Sequence, residues 1–209
     1  MSLADDITAE RAQFCELLQG LSDAEMDKPS LCEGWSARDV AAHAISYDRI
    51  NPLLFVPLFV LSGFSIDRTN RMLVRWWRRQ PTSRIVDAFH RSPTPRGMMR
   101  LLGKRIALLD CLVHQQDIRR PLGRPRAIPP ERLAAVAEIL RHHRIGAGGI
   151  ARARGLRFVA TDTGWSAGEG PSVEGPAEAI VMVLAGRATA LHDLRLGEGK
   201  DVIAQRLIG

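Results

Sequence analysis

Apolar residues recur at three- and four-residue steps through most of the first 120 positions, which is the period of an amphipathic helix. The first helix is predicted over residues 6–21, with Asp5 or Asp6 capping its start. A second helix is predicted to begin after Ser36, which forms a capping box with Asp39. Local sequence signals therefore define the first two helices.

Proline residues divide the helices that follow. Asn51-Pro52 ends the second helix, and a third helical region over 67–90 is expected to break near Pro81. After the break at 92–95, a fourth helix carries an apolar stripe and ends at Pro121. Four helices of this length predict a four-helix bundle over residues 1–123.

The pattern changes after a segment rich in proline and charge, Arg124–Pro130, which is the expected domain boundary. Residues 156–161 alternate and are rich in β-formers, and the glycine-rich segments after them predict turns. The expected elements are helix 131–145, strand 156–161, a small antiparallel meander through 172–174, helix 176–186 and a helical stretch over 191–207. The overall prediction is a mostly α protein whose bundle is followed by a small α+β domain, residues 130–209.

The most apolar run is Pro52–Ile66. A membrane span needs ~20 residues, and this run is shorter and interrupted by Pro57 and Gly63. We therefore expect a buried or pocket-lining segment and no membrane partner, with contact to a membrane surface as the alternative.

Charge adds a weak indication of partners. The 209 residues carry 29 Lys+Arg against 23 Asp+Glu, a net charge of +6. This excess favours anionic small molecules or weak nucleic-acid attraction. The run Arg75–Arg79 interleaves arginine with tryptophan, which can bind nucleic acid or lipid, but no wider nucleic-acid motif accompanies it. We expect a small-molecule partner, no nucleic acid, and tryptophan packed on the core side.

The three cysteines, Cys15, Cys32 and Cys111, form neither a CxxC motif nor a disulfide framework. The N-terminus is polar and acidic, unlike a secretory signal. Both observations favour a reducing cytoplasm. Cys32 precedes the second helix and could lie near a pocket, although a packing role is the expectation.

The strongest candidate chemistry lies in the fourth helix. Asp110 and His114 are four residues apart and share one helix face, at the border of the apolar stripe. His43, on the inner face of the second helix, is the best candidate for a third metal ligand. Two histidines and one carboxylate suit catalytic zinc or non-haem Fe(II). Asp117 could orient His114 or pair with a neighbouring arginine.

Four segments resemble a known family. The runs LCEGWSARDVAAH over 31–43, VHQQDIRRPLG over 113–123, GPSVEGP over 170–176 and LAGR over 184–187 are similar to the mycothiol-dependent maleylpyruvate isomerase-like proteins. Those proteins belong to the DinB-like metal-binding four-helix bundles. The similarity extends over almost the whole chain.

The resemblance implies a zinc site at His43, Asp110 and His114, with aspartate where the family more usually has glutamate. It also implies a thiol of the mycothiol type as cosubstrate, in a transferase or isomerase acting on a small electrophile. No cysteine of the chain would then be needed as the nucleophile. The alternatives are a regulatory module of the same fold without turnover and an iron-dependent oxygenase.

Three arginines are candidates for binding anionic groups. Arg119 and Arg120 follow the metal-binding helix face and could bind the thiol cosubstrate. Arg187 could contact a carboxylate of substrate or thiol in the catalytic site, or form a structural salt bridge. The substrate-binding role of Arg187 requires residues 130–209 to lie beside the mouth of the bundle.

Overall fold

The computed structural model describes residues 2–143 and 148–208 and divides into two compact units, Met1–Pro125 and Arg126–Gly209. In the described part of the first unit the regular elements are all helices, and one isolated bridge joins Pro29 to Ser36. Its helices are α1 Leu3–Gln19, α2 Asp23–Met26, α3 Ala37–Arg49, α4 Pro52–Leu61, α5 Ile66–Trp77, α6 Thr82–His90, α7 Gly97–Leu102 and α8 Lys104–Arg119.

Helix α1 begins three residues earlier than predicted, and its cap differs from the prediction. Ser2 is the N-cap, and its Oγ accepts a hydrogen bond from the Asp5 N–H at 3.2 Å. The Asp5 carboxylate accepts from the Ser2 N–H at 2.9 Å. Asp5 is therefore the third helical residue of a capping box, which satisfies two backbone donors where a single aspartate cap would satisfy one.

Helix α3 lies at the centre of this unit. The capping box predicted at its start is confirmed, with Ser36 as N-cap and Asp39 as partner. Almost every residue of α3 is buried, because α5, α6, α7 and α8 all pack against it. Helix α1 packs against α6 and α8. A side chain on α3 can therefore meet side chains of α8 inside the bundle.

The predicted third and fourth helical regions each divide. Helices α5 and α6 are separated before Thr82, so the break expected near Pro81 is confirmed. Helix α8 starts at Lys104 because Gly103, with φ of 96°, separates it from α7. A positive φ of this kind is readily adopted only by glycine.

A buried ion pair ties α1 to α3. Arg11 Nη2 lies 2.7 Å from Asp48 Oδ2, and Arg11 Nε donates to the Ser92 carbonyl oxygen at 2.6 Å. The other oxygen, Asp48 Oδ1, accepts from the Arg96 N–H at 2.7 Å. One pair thus connects two helices and the segment between α6 and α7.

The prediction for the apolar run Pro52–Ile66 is wrong for most of its length. Phe55 is buried, and Leu54 and Leu58 line a cavity, but Leu53 and Leu61 are 81% and 79% exposed. Among the described residues, no single helix is long and apolar enough to cross a membrane. Helices α4 and α5 reach that length only as a pair bent by 115°.

The tryptophans of Arg75–Arg79 divide between core and surface. Trp77 is buried, as expected, whereas Trp76 is half exposed. The two rings lie edge to face, with centroids 4.9 Å apart. The prediction of tryptophan on the core side is therefore right for Trp77 and wrong for Trp76.

The second unit combines helices with a three-stranded sheet. Its elements are α9 Pro130–His142, α10 Gly149–Ala153, β1 Arg157–Ala160, β2 Ser166–Ala167, β3 Ser172–Gly175, α11 Ala177–Leu184, the 3₁₀ helix Ala188–Asp193 and α12 Glu198–Ile208. The predicted end of helix 131–145 lies outside the described residues. The stretch predicted as one helix over 191–207 is instead divided between the 3₁₀ helix and α12.

The sheet is mixed, so the prediction of an antiparallel meander is wrong. Its strand order is β2-β1-β3, with β1 antiparallel to β2 and parallel to β3. The chain returns past the start of β1 through Gly168 and Gly170, both with positive φ. A Cβ at either position would overlap a backbone carbonyl, of Leu156 or Gly155. Glycine therefore permits the close approach that brings β3 to the far side of β1.

Candidate metal centre

His43 enters the bundle from α3, two turns after the Ser36 cap. The residue is 8% exposed, and the Trp35 and Tyr47 rings lie beside it, with centroids 5.2 Å and 5.6 Å from the imidazole. Its Nδ1 atom is buried and has no hydrogen-bond partner among the described residues. Burial lowers the pKa of His43, although Asp110 opposes that shift.

Asp110 and His114 lie one turn apart on α8 and face His43. Asp110 Oδ1 lies 3.4 Å from His114 Nε2 and 3.6 Å from His43 Nε2. The imidazoles of His43 and His114 are nearly perpendicular, with centroids 5.0 Å apart. The structure thus brings together the three residues that the sequence nominated as metal ligands.

These distances exceed the ~2.9 Å of a good N–H···O hydrogen bond. They match another geometry, since two ligand atoms each ~2.1 Å from a tetrahedral zinc ion lie ~3.4 Å apart. The three ligand atoms all lie within 4.8 Å of one another. Asp110 therefore reaches both histidines despite being one methylene shorter than glutamate, and the donor set fits a divalent ion.

Asp117 holds His114 from the opposite side of the ring. His114 Nδ1 lies 2.8 Å from Asp117 Oδ2, and Asp117 is completely buried. Because an ionised carboxylate only accepts hydrogen bonds, Nδ1 carries the proton. In a neutral imidazole this leaves the Nε2 lone pair directed towards Asp110, as a metal ligand requires.

Cys32 is a site residue that could be inferred only weakly from the sequence. Its Sγ donates to Asp117 Oδ2 at 3.1 Å and lies 3.9 Å from His114 Nδ1. The loop holding it is fixed to α8, because the Leu31 N–H donates to the Asp117 carbonyl oxygen at 3.0 Å. Cys32, His114 and Asp117 form a second group with possible metal-binding spacing.

The charges of the cluster are strongly coupled. Burial alone would lower the pKa of His114, but the carboxylates of Asp110 and Asp117 raise it well above its usual value. Burial alone would raise the pKa of Asp110, but His114 and His43 hold it well below its usual range. Two carboxylates around one imidazole attract a cation, and a divalent ion would compete with the His114 proton.

The predicted anion-binding arginines have contacts of their own. Arg119 Nη2 donates to the Gln13 carbonyl oxygen on α1 at 3.4 Å. Arg119 and Arg120 project ~120–140° around α8 from the line of His114. Arg187 Nη1, in the second unit, donates to the Ala185 carbonyl oxygen at 2.7 Å. The binding roles given to these three arginines stay predictions.

Comparison with known proteins agrees with the resemblance found in the sequence. Residues 7–54, which contain His43, match the family model of the mycothiol maleylpyruvate isomerase N-terminal domain. No curated protein matches the chain significantly by sequence.

Two solved structures share the fold. A histidine-to-alanine variant of mycothiol-dependent maleylpyruvate isomerase is 15% identical, with a TM-score of 0.57 over 90% of each chain. Another structure of mycothiol-dependent maleylpyruvate isomerase is 13% identical, with a TM-score of 0.53 over 90% of each chain. The predicted fold class, a DinB-like bundle followed by a small α+β domain, is thereby confirmed.

Proposed function

We propose that this chain is a metal-dependent enzyme that joins a low-molecular-weight thiol of the mycothiol type to a small electrophile, as a transferase or an isomerase. The observation that carries the proposal is that Asp110 Oδ1 lies 3.4 Å from His114 Nε2 and 3.6 Å from His43 Nε2, close to the spacing of two ligand atoms on a tetrahedral ion. The similarity to mycothiol-dependent maleylpyruvate isomerase supports the choice of thiol.

Zinc is the proposed ion, and His43, Asp110 and His114 would hold it. Three protein ligands leave one position of a tetrahedral site for an external group. When bound, such an ion supplies positive charge that lowers the pKa of a coordinated thiol and favours the thiolate. The two-histidine, one-carboxylate set also suits Fe(II), and metal analysis distinguishes the two ions.

The surrounding residues orient the ligands and limit water. Asp117 fixes the ring orientation and tautomer of His114 through the 2.8 Å hydrogen bond. The Trp35 and Tyr47 rings pack against the largely buried His43 ring. A ligand set held this way needs little rearrangement when an ion binds, which favours a defined geometry over a loose one.

The proposed chemistry uses a thiol from outside the chain. The thiolate adds to one carbon of an activated double bond and leaves negative charge on the activating group. Rotation about the resulting single bond and elimination of the same thiolate give the isomer with no net change in atoms. If the adduct takes up a proton instead, the product is a thioether and the enzyme is a transferase.

An anionic substrate or cosubstrate would need cationic partners. We propose Arg119 and Arg120 for the thiol and Arg187 for a carboxylate, since guanidinium groups bind carboxylates through paired hydrogen bonds. The proposed setting is the cytoplasm, where a low-molecular-weight thiol stays reduced.

The test measures metal content and thiol-dependent turnover in the same preparations. The full chain, supplied with zinc, should consume an activated electrophile such as a maleyl compound only when thiol is present. His43→Ala should lose bound zinc and activity together. His142→Ala is the matched control, because its imidazole lies on the exposed end of α9.

A second variant tests the source of the sulfur. Replacing Cys15, Cys32 and Cys111 together with alanine should leave thiol-dependent turnover in place. Turnover that needs one of these cysteines and ignores zinc would overturn the proposal. Zinc binding without turnover for any electrophile would instead support a binding module of the same fold.

A further inference from the structure

Exposed apolar side chains are concentrated on one part of the first unit. Of the twelve large hydrophobic residues exposed among the described residues, nine lie between positions 53 and 76. We name these nine the apolar patch: Leu53, Leu54, Val56, Val60, Leu61, Phe64, Ile66, Met72 and Trp76. Single exposed hydrophobic residues are ordinary, whereas a contiguous group marks a contact surface.

Helix α4 provides most of the patch and is apolar on all sides. Its sequence, PLLFVPLFVL, contains no charged or hydrogen-bonding side chain. Only Phe55 is buried, where its ring packs against Tyr47 and Phe59. A helix that is hydrophobic all round normally lies in a protein core or in lipid. Most of α4 is instead exposed.

The turn between α4 and α5 presents the patch in a fixed shape. Ser62 Oγ and Thr69 Oγ1, both buried, lie 2.8 Å apart and close the turn. At its tip Phe64 has a φ of 58° and is 69% exposed. An aromatic residue whose backbone is in the left-handed region is strained, and this strained residue places its ring in solvent.

Arginines border the patch. From Arg49 to Arg91, with both ends included, the sequence has eight arginines and two acidic residues, Asp67 and Asp87. On α5 and its end, Arg68, Arg71, Arg75 and Arg79 fall within a ~100° arc beside Met72 and Trp76. These four arginines form no ion pair with any described residue.

The charge of the border identifies the occupant. A second copy of the chain would bring two arginine-rich borders together, which is unfavourable. An anionic bilayer surface accommodates both features, since its headgroups attract arginine and its acyl region accepts apolar side chains. Tryptophan at the edge of an apolar surface, as at Trp76, suits the boundary between headgroups and acyl chains.

We propose that the α4–α5 region, with the apolar patch and its arginine border, is a docking surface for an anionic lipid bilayer. The chain would lie on the membrane with Leu61, Phe64 and Ile66 inserted below the headgroups. The arginines would contact lipid phosphates. This proposal is independent of the metal centre, because none of the three proposed ligands belongs to the patch.

The test is co-sedimentation of the full chain with vesicles of phosphatidylcholine alone or with 30% phosphatidylglycerol. We expect binding to the anionic vesicles that weakens as salt rises, and at least tenfold weaker binding to the neutral ones. Leu61→Asp combined with Phe64→Asn should reduce binding more than tenfold. Asparagine tolerates a left-handed backbone, so this variant should fold.

Two further variants complete the test. Arg71→Gln, Arg75→Gln and Arg79→Gln together should reduce binding by roughly a hundredfold, since each arginine near such a surface contributes about fivefold. Leu196→Asp is the control, because Leu196 is 91% exposed in the second unit and should bind as the unaltered chain does.

Three outcomes of the vesicle experiments would overturn the proposal. The first is no vesicle binding, the second is equal binding to both lipid compositions, and the third is vesicle binding that the patch variants do not change. Light scattering after gel filtration measures the oligomeric state of the chain. A dimer that the Leu61 and Phe64 changes dissociate would assign the patch to a second copy and would also overturn the proposal.

Discussion

Two buried polar clusters of the first unit differ in how completely the fold satisfies them. Around Asp48, both carboxylate oxygens accept hydrogen bonds of 2.7 Å, from Arg11 and from the Arg96 backbone. Around Asp110, the nearest imidazole nitrogens lie at 3.4 and 3.6 Å, and His43 Nδ1 has no partner among the described residues. We refer to these as the Arg11 cluster and the metal cluster.

The difference indicates what each cluster is for. Buried polar groups are normally hydrogen-bonded, because leaving one unsatisfied costs about 1–3 kcal/mol. The Asp48 carboxylate meets that requirement with protein atoms alone, and its partners join two helices and a loop. The metal cluster leaves room between its ligand atoms for a further group, as expected of a binding site.

The largest expected effect comes from breaking the Arg11 cluster. Arg11→Met leaves the Asp48 carboxylate buried without its cation, which should lower the free energy of unfolding by about 3–5 kcal/mol. Urea denaturation measures the loss. Adding Asp48→Asn should recover part of it, because the amide oxygen can still accept from the Arg96 N–H. A loss below about 1 kcal/mol for the single variant would contradict the structural role.

The metal cluster should respond to zinc, whereas the Arg11 cluster should not. A ligand present at a hundred times its dissociation constant stabilises the folded state by about 2.7 kcal/mol. For a chain of this size, that corresponds to a rise in Tm of about 5–10 °C. His114→Ala should abolish the rise, and Arg11→Met should keep it on a lower baseline. A zinc-induced rise retained in His114→Ala would place the ion elsewhere.

Asp117 allows a finer test of how the metal cluster is supported. Asp117→Asn keeps the shape but removes the charge that orients and polarises His114, so zinc affinity should fall about 10–100-fold. Competition with a chromogenic chelator measures the affinity. Cys32→Ser is the control, since a hydroxyl can replace the thiol as donor to Asp117. Equal zinc affinity in Asp117→Asn and the unaltered chain would show that Asp117 does not orient His114 for metal binding.

Features set by short-range signals were predictable from the sequence. The Ser36–Asp39 capping box fixes the start of α3, and hence the position of His43 two turns later. The four-residue spacing of Asp110 and His114 places both on one face of α8. The helical period and cap residues thus contained enough information to nominate the three clustered side chains.

Features that depend on distant contacts were not predictable. Hydropathy marks α4 as apolar, but cannot tell whether another part of the chain covers it. The parallel pairing of β3 depends on where the chain passes after Gly170, and alternation along a strand does not report direction. Cys32 reaches Asp117 only because a backbone hydrogen bond joins their segments.

A partly exposed carboxylate sharpens the contrast between the two buried clusters. Glu25, in the capping box of α2, accepts from the Ser22 N–H at 2.9 Å and from Arg124 Nη2 at 2.7 Å. These distances match those of the Arg11 cluster, but Glu25 lies at the surface, where water competes for both bonds. Hydrogen bonds of the same length should therefore contribute much less to stability at Glu25 than at Asp48.

The Glu25 contribution should also depend on pH. The Ser22 backbone and hydroxyl and the Arg124 guanidinium lower the pKa of Glu25 from 4.5 to about 2. A carboxyl whose pKa is lowered by folding stabilises the folded state above its unfolded pKa and loses that contribution as it is protonated.

Glu25→Gln should therefore lower Tm slightly at pH 6–7, and the difference from the unaltered chain should shrink as pH falls from about 4.5 towards about 2. Calorimetry across this range measures it, and Glu33→Gln is the control, since the Glu33 carboxylate is exposed and has no described partner. A Tm difference for Glu25→Gln as large as that for Arg11→Met would show that burial is not what separates these sites.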